Sequence, residues 1–373
     1  MRKVAIIALL ALLSAGAMYS FKQCINTKRV AANSTIEVAF NNWLSTQNKM
    51  YASPAEKAYR MTVFAANYQK VAQDNQIYSH TSSLNKFADL TEEEFITKYT
   101  GLKYDANTPK NYKTIESANQ NGNVDWREKG AVNAVKDQGQ CGSCWAFSAT
   151  SALESAWFLA HSELFDLSEQ QLVDCAGVTG NEGCNGGLMD DAFKYIQLYG
   201  GQDLSRDYPY TALDGKCKAV KTGVKANLKG WTDVPQNNCE QLVSALTVQP
   251  TSVAIAANAI MFYTGGVFAN ARCGTGLNHG VTAVGYGTEG ESNYFIVRNS
   301  WGASWGEKGY IRMSRDGQAT SGICGICMAA SYTCCWRFAA NWPRSVRCAH
   351  SGRRCPKQFR RWRSEERRVG KEC

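Results

Sequence analysis

No stretch of the 373 residues stays apolar for the roughly 20 positions that a membrane-spanning helix needs, so no membrane span is expected. Seven prolines exclude a proline-rich or collagen-like design, even beside 32 glycines. An excess of one charge is missing from most of the chain. The formal net charge of +9 comes from residues 333–373, which carry 12 basic and 3 acidic side chains, whereas residues 120–332 carry 15 and 20. No nucleic-acid motif accompanies that basic tail, so a nucleic-acid partner is not expected. Histidine is scarcer still. The chain has four, and only His161 and His279 fall within 120–332. Hydrophobic residues at 44% and charged residues at 20% are ordinary for a folded globular chain and argue against disorder. Cysteine is the one abundance. Fifteen are too many for a routine cytosolic protein and point to an oxidising compartment.

The N-terminus supplies the route there. Arg2 and Lys3 precede the apolar run Val4–Leu13 and the small residues Ala15-Gly16-Ala17, the pattern of a secretory signal peptide cut near Ala17. Asn33-Ser34-Thr35 is then a glycosylation sequon, with Asn33 as acceptor. Phe40, Trp43 and Leu44 form one helical apolar stripe, and Tyr59, Val63, Phe64, Val71 and Ile77 a second, predicting two helices within 36–78. Asn85–Asp89 reads as a short extended piece, and Thr91 followed by Glu92, Glu93 and Glu94 as a helix start. Gly101–Gly122 is polar and aperiodic, as an exposed, cleavable linker would be. Beyond Val124, the segments Cys144–His161, Ser168–Asp174 and Leu188–Tyr199 read as helices. Ser252–Ala257, Gly280–Gly287, Asn293–Asn299 and Gly309–Met313 read as strands. A helical half beside a β half implies two lobes with a cleft between them.

The chemistry concentrates around Gln138–Ser148 (QGQCGSCWAFS), where a polar, glycine-containing loop runs into an apolar helix beginning near Cys144. A cysteine at that position meets the positive end of the helix dipole, which favours thiolate. Its proton partner follows by elimination. His161 lies 17 positions along the same helix, about 25 Å away, leaving His279. An imidazolium there stabilises the thiolate and can protonate a leaving amine. Asn299 can orient that imidazole, Trp301 can shield the hydrogen bond between them, and Gln138 can turn its amide to a developing oxyanion beside the Cys144 N–H. The CxxC spacing of Cys141 and Cys144 also fits half of a zinc or disulfide site, but no further ligand pair accompanies it, so no metal is expected.

Taken together, these motifs make residues 120–332 similar to the papain-like cysteine proteases, closest to their cathepsin L branch. The resemblance implies an α+β, papain-like two-lobe fold, with a helical left lobe and a β-barrel-like right lobe. It implies a cysteine endopeptidase without cofactor, with Cys144 as nucleophile, His279 as base, Asn299 as orienting residue and Gln138 as oxyanion donor. It also implies three disulfides, Cys141–Cys184, Cys175–Cys217 and Cys273–Cys324, and leaves the pairing of Cys239 and Cys327 open. Gly186 and Gly187 match the family's substrate-binding strip. Leu188, Met189, Ala254, Leu277 and Ala329 match its pocket for the residue two before the scissile bond (P2), and all are apolar, which favours hydrophobic or aromatic side chains. No two-histidine insertion of the dipeptidase kind is present.

Residues 18–119 resemble the inhibitory propeptide of the same branch. One motif comprises Glu56, Arg60, Phe64, Asn67, Val71 and Asn75; a second comprises Asn85, Phe87 and Asp89. The implied leader runs through the cleft in reverse direction and blocks it. Residues 1–119 hold 14 basic and 9 acidic side chains against the acidic body, so acid is expected to weaken docking and trigger self-processing near Gln120. The resemblance stops at Tyr332. Residues 333–373 read as an anomalous basic tail, a translation or sequencing artefact, since Arg363–Cys373 resembles a translated sequencing adapter. Expected partners are protein and peptide substrates, the chain's own leader and cystatin-type inhibitors, for a monomer sent through the secretory pathway to a lysosome, a digestive vacuole or the exterior. Two other classes stay open: a catalytically silent binding protein on the same fold, and a leader that inhibits other proteases in trans.

Overall fold

The computed structural model describes residues 35–108, 110–112, 115, 122–316 and 320–335. The signal peptide expected at 1–17, Asn33, the cleavage position near Gln120 and residues 336–373 lie outside them. Two compact units are distinguished: residues up to Gln73 with Leu84–Thr91, and Asp74–Ser83 with everything from Glu92 onward.

The smaller unit is built on helix α1 (35–47) and most of α2 (Pro54–Ile77). Glu56 opens α2 in the manner of a capping box, its N–H donating to Ser53 Oγ while its carboxylate accepts from Ala52 N, both at 3.1 Å. Phe64 is the centre of the core, with ring centroids of Phe40 and Trp43 at 5.2 and 5.4 Å. Asn85–Leu90 is a turn, not the extended piece expected: Ala88 N donates to Asn85 O at 3.0 Å and Leu90 N to Phe87 O at 2.9 Å. Asn85 Oδ1 accepts from Phe87 N at 3.0 Å, a local bond that competes with extended backbone. Arg60 and Asn67 reach from α2 to the carbonyls of Asp89, Ala88 and Leu90, and the Asp89 carboxylate takes Lys49 and the Tyr51 hydroxyl. These polar motif residues therefore hold the turn shut. Tyr59 and Ile77 do not join an apolar face; they are 50% and 58% exposed.

In the larger unit, Asn75 clasps the backbone of Ser82 through both its amide atoms, at 2.9 and 2.7 Å. Strand β1 (Thr81–Ser82) and helix α3 (Glu92–Tyr99) follow, then β2 (Val124–Asp125). Helices α4 (Cys144–His161), α5 (Glu169–Cys175) and α6 (Met189–Tyr199) enclose a core that includes Trp145, Leu153, Leu172 and Phe193. Ser168 caps α5 by accepting from Gln171 N, so the helix starts one residue later than expected. The β half comprises β3 (Gly230–Asp233), β4 (Thr251–Ile255), β5 (Tyr263–Gly265), β6 (Val267–Phe268), β7 (His279–Glu289), β8 (Ser292–Arg298), β9 (Tyr310–Ser314) and β10 (Ala330–Cys334). Helix α7 (Cys239–Val248), capped by Asn238, interrupts this run and is not anticipated from the sequence.

The main sheet follows the order β3-β10-β4-β7-β8-β9-β6, with β2 added to β7, while β1 pairs with β5. The β-barrel-like half thus takes the form of an open sheet of eight strands whose end strands, β3 and β6, do not meet. Strand β10 runs through Cys334, opposite Gly230, two residues past the end expected at Tyr332. The stretch Gly101–Gly122 departs from an exposed linker at its start, because Leu102 is buried.

What positions the site is the seat of α4 on the sheet. The Ser148 hydroxyl donates to Val281 O of β7 at 2.6 Å, and the Ser252 hydroxyl of β4 donates to Ser148 O at 3.1 Å. Small residues along α4 allow this close approach, and the head of α4 is brought against the start of β7.

The three disulfides implied by resemblance are present, and Cys239–Cys327 is a fourth, joining the head of α7 to the segment before β10. Cys239 and Cys327 are 88 positions apart, so their bridge restricts a long loop of the unfolded chain. Replacing both by serine is expected to lower the unfolding free energy by roughly 2–4 kcal/mol in non-reducing denaturant titration. An unchanged midpoint would contradict this.

Candidate active site

Cys144 is the first residue of α4 and is fully buried. Its sulfur accepts from Gly280 N at 3.3 Å, which places it beside His279, the first residue of β7. His279 Nε2 lies 2.8 Å from Asn299 Oδ1, just past the end of β8. Because an amide oxygen only accepts, Nε2 carries the proton, and Nδ1 of the neutral ring is the basic nitrogen. Nδ1 is buried without a hydrogen-bond partner. Asn299 is itself held through its N–H to Gly309 O and through Ser300 N to its Oδ1. Trp301 stacks on the imidazole, with ring centroids 4.6 Å apart, and covers the His279–Asn299 bond.

Gln138 is fixed on both ends of its amide. Nε2 donates to Cys141 O at 2.9 Å and Oε1 accepts from Ser300 Oγ at 2.6 Å, leaving one Nε2 hydrogen unspent. The Tyr210 hydroxyl donates to Gln138 O and stands 2.7 Å from Ser143 Oγ, bracing the loop before Cys144. Ser300 and Tyr210 were not singled out from the sequence. Ser300 adjoins Asn299, which was a usable signal; nothing local marks Tyr210.

Both ionisable centres are pushed towards neutrality. Burial drives the Cys144 thiol up to about 12, against backbone N–H donors from Gly280, Trp145 and Cys144 itself. Burial drives His279 down to about 4, against the Asn299 hydrogen bond. Burial thus acts against the charged form of both groups and opposes the helix terminus, which favours thiolate.

The segment that shuts out water is the leader. Phe95 meets Trp301 edge-on at 5.0 Å, and the Trp301 indole N–H donates to Tyr99 O at 2.9 Å. Gly101 N and Leu102 N both donate to Asn278 O, at 3.1 and 3.0 Å. Gly187 N then donates to Gly101 O and Gly187 O accepts from Lys103 N, both at 2.9 Å, in a parallel bridge at Leu102. Both polar groups of the Gly187 peptide strip are thus occupied. Two glycines are needed for this approach. A Cβ on Gly101 would stand 2.2 Å from Gly142 O, and one on Gly186 would stand 2.6 Å from Gly101 O. Gly186 also has a positive φ of 116°.

Leu102 belongs to the same apolar cluster as Leu188, Met189 and Ala254, with Leu277 and Ala329 packed against it. The expected pocket residues and a leader side chain thus share one apolar cluster. Among the described residues, no group of three or more His, Cys, Asp or Glu side chains is arranged to hold a metal ion.

Residues 120–334 match the family model described as papain family cysteine protease, and residues 40–95 match the cathepsin propeptide inhibitor domain. Oryzain beta chain of Oryza sativa subsp. japonica is 47% identical over 308 residues, covering 79% of this chain and 66% of its own length. A cysteine protease of Arabidopsis thaliana, XCP2, is 46% identical over 305 residues, covering 79% and 85%. Among solved structures, a recombinant stem bromelain precursor superposes with a TM-score of 0.74 at 38% identity, covering 81% of this chain and 99% of that one. Digestive procathepsin L 3 of Tenebrio molitor larval midgut gives 0.72 at 37% identity, covering 80% and 99%. The chain belongs to the papain family of cysteine proteases and carries that family's inhibitory propeptide, so it is made as a zymogen.

The neutral state of His279 is directly testable. In the full chain carrying Cys144→Ala, its imidazole should stay neutral at pH 5.5 and titrate only near pH 4, because a base with a lowered pKa gains its proton only below that shifted value. A side-chain NMR titration reads this. A midpoint at or above 6.5 would contradict burial as the controlling effect.

Proposed function

We propose that the processed chain hydrolyses internal peptide bonds of proteins through a Cys144–His279 pair. The observation that carries this reading is the His279 Nε2–Asn299 Oδ1 bond, which leaves Nδ1 as the proton acceptor next to the cysteine at the head of α4. Once water and substrate replace the leader, the desolvation that holds both groups neutral is relieved, and the thiol proton passes to Nδ1. The thiolate attacks the scissile carbonyl carbon. The oxyanion is met by the Cys144 N–H and by the unspent Nε2 hydrogen of Gln138, whose amide is pre-set by Cys141 O and Ser300. The imidazolium protonates the leaving amine as the C–N bond breaks, giving a thioester. His279 then takes a proton from water, whose oxygen attacks the thioester and releases the carboxylate product and the thiol.

Substrate backbone pairs with the Gly187 strip that the leader now fills. Leu188, Met189, Ala254, Leu277 and Ala329 favour an apolar or aromatic side chain at P2. The domain plan proposed is a signal peptide at 1–17, a leader at 18–119 and a catalytic domain from 120, with acid-promoted self-processing near Gln120. Traffic through the secretory pathway to a lysosome-like vacuole or the exterior, a monomeric state and sensitivity to cystatin-type inhibitors belong to the same proposal.

Steady-state kinetics on a fluorogenic peptide with leucine at P2 test this reading. Cys144→Ala should lower kcat by about a millionfold. Gln138→Ala should lower it about 10²–10³-fold with little change in KM, the mark of a transition-state donor. Activity persisting in the Cys144 variant would reject the mechanism. On the leader side, Gly101→Leu should make the full chain hydrolyse peptide at neutral pH without processing, because the leader backbone can no longer approach Gly142. A still-silent full chain would place the inhibition elsewhere.

A further inference from the structure

The far end of the apolar pocket carries two carboxylates that the mechanism does not use. A cavity is walled jointly by Leu188, Met189 and Ala329 and by Asp190, Asp233 and the leader's Lys110. Asp190 lies in the first turn of α6 and Asp233 ends β3. The Lys110 ammonium sits 2.5 Å from Asp190 Oδ2, and both side chains are largely shielded, at 11% and 14% exposure. Asp190 Oδ1 accepts from the Ser331 hydroxyl at 2.8 Å, and Asp233 Oδ2 accepts from Asn111 N at 2.5 Å. The chain itself thus seats a cation in this recess.

We propose that in the processed enzyme Asp190 and Asp233 take the ammonium or guanidinium of a substrate lysine or arginine at P2, whose aliphatic stem lies along Leu188, Met189 and Ala329. This rests on the reading above that those three residues line the P2 pocket.

Both acids sit on body elements, Asp190 on α6 and Asp233 at the end of β3, although the Asp233 carboxylate also takes the leader's Asn111 N–H. Ser331 of β10 holds Asp190, and the same Ser331 is the register partner of Asp233. They remain when Lys110 departs. The groups around them are Asp191 and Lys194 on α6, and Tyr104, Lys110 and Tyr112 on the leader. Burial and the neighbouring Asp190 raise Asp233, whereas the Asn111 N–H and the Lys110 ammonium lower it, so a cation seated here favours the charged carboxylate. Ala329 adds no charge of its own and leaves the stem an apolar wall, an arrangement that suits the long alkyl stem of lysine or arginine. The pocket is thus two-natured: an apolar wall for leucine or phenylalanine, and an acidic end that only a longer basic side chain reaches.

Acid-processed enzyme made from the full chain would be assayed with peptides identical except for leucine, norleucine or lysine at P2. Norleucine matches the lysine stem and lacks the ammonium. Wild-type enzyme should cleave the lysine peptide at least as well as the norleucine peptide. Asp190→Asn combined with Asp233→Asn should cut the lysine-to-leucine ratio of kcat/KM by about tenfold or more. The wild-type protein also carries the test alone: of two reversible peptidyl aldehydes differing only in lysine or norleucine at P2, the lysine compound should bind about tenfold tighter at pH 7. Tighter binding of the norleucine aldehyde, or an unchanged ratio in the variant, overturns the proposal. Cleavage of the leucine peptide without the lysine peptide overturns it alone, whereas failure to cleave any of the three overturns the protease reading beneath it.

Discussion

Gly187 is the point at which the leader's backbone meets the strip proposed to bind substrate. Its N–H and C=O both bond the leader, at 2.9 Å each. Neither bond is strong by itself, each being worth about 1 kcal/mol net. Their consequence is geometric. With Leu102 tied to Gly187, the chain from Phe95 to Lys103 must cross the head of α4 and the face of Trp301. The crossing lies over the head of α4, where burial raises the Cys144 thiol and lowers His279, away from their charged forms. On this account inhibition has two parts, a blocked strip and a disarmed acid–base pair.

The disarmed pair is nevertheless assembled. Cys144 and His279 come from elements 135 positions apart, and the Ser148 hydroxyl on Val281 O, with the Ser252 hydroxyl on Ser148 O, holds α4 against the sheet that carries His279. Gln138, Ser300 and Asn299 form a second brace, in which the hydroxyl of Ser300, next after Asn299, fixes the Gln138 amide. The site need not be built when the leader leaves; it needs only to be wetted. The same holds for Asp190 and Asp233, whose seat is kept by β3 and β10.

Much of this was legible in the residues. Cys144 at a helix head and His279 by elimination required only helix geometry and a short list of histidines. The long helix Cys144–His161 and strands β7 to β9 follow strong periodic runs, so they are recovered within a few residues. What could not be read falls into two kinds. Helix α7 carries the β-branched Val243, Thr247 and Val248, which suit a strand as well as a helix, and it lies between two strands. The turn at Asn85–Leu90 is held by Arg60 and Asn67 from α2, partners more than 15 positions away, and local sequence cannot reveal such tertiary bonds. The buried start of Gly101–Gly122 was not legible because it is held by backbone bonds of Gly101, Leu102 and Lys103 and by one apolar side chain, Leu102, too few to make a periodic pattern. At Cys144 two effects oppose each other: a helix head favours thiolate, whereas total burial raises the thiol, and the second depends on tertiary packing that local sequence does not show.

The central claim is that leader burial, and nothing missing from the site, keeps Cys144 unreactive. The direct measurement is the rate at which an epoxide thiol inactivator labels Cys144 at pH 6.5, read by intact mass and peptide mapping in the full chain and in the acid-processed chain. Mapping is needed because Cys335 is also a free thiol. The account predicts a Cys144 adduct that forms readily on the processed chain and is absent from the full chain over the same interval. Equal labelling of the two forms would contradict it.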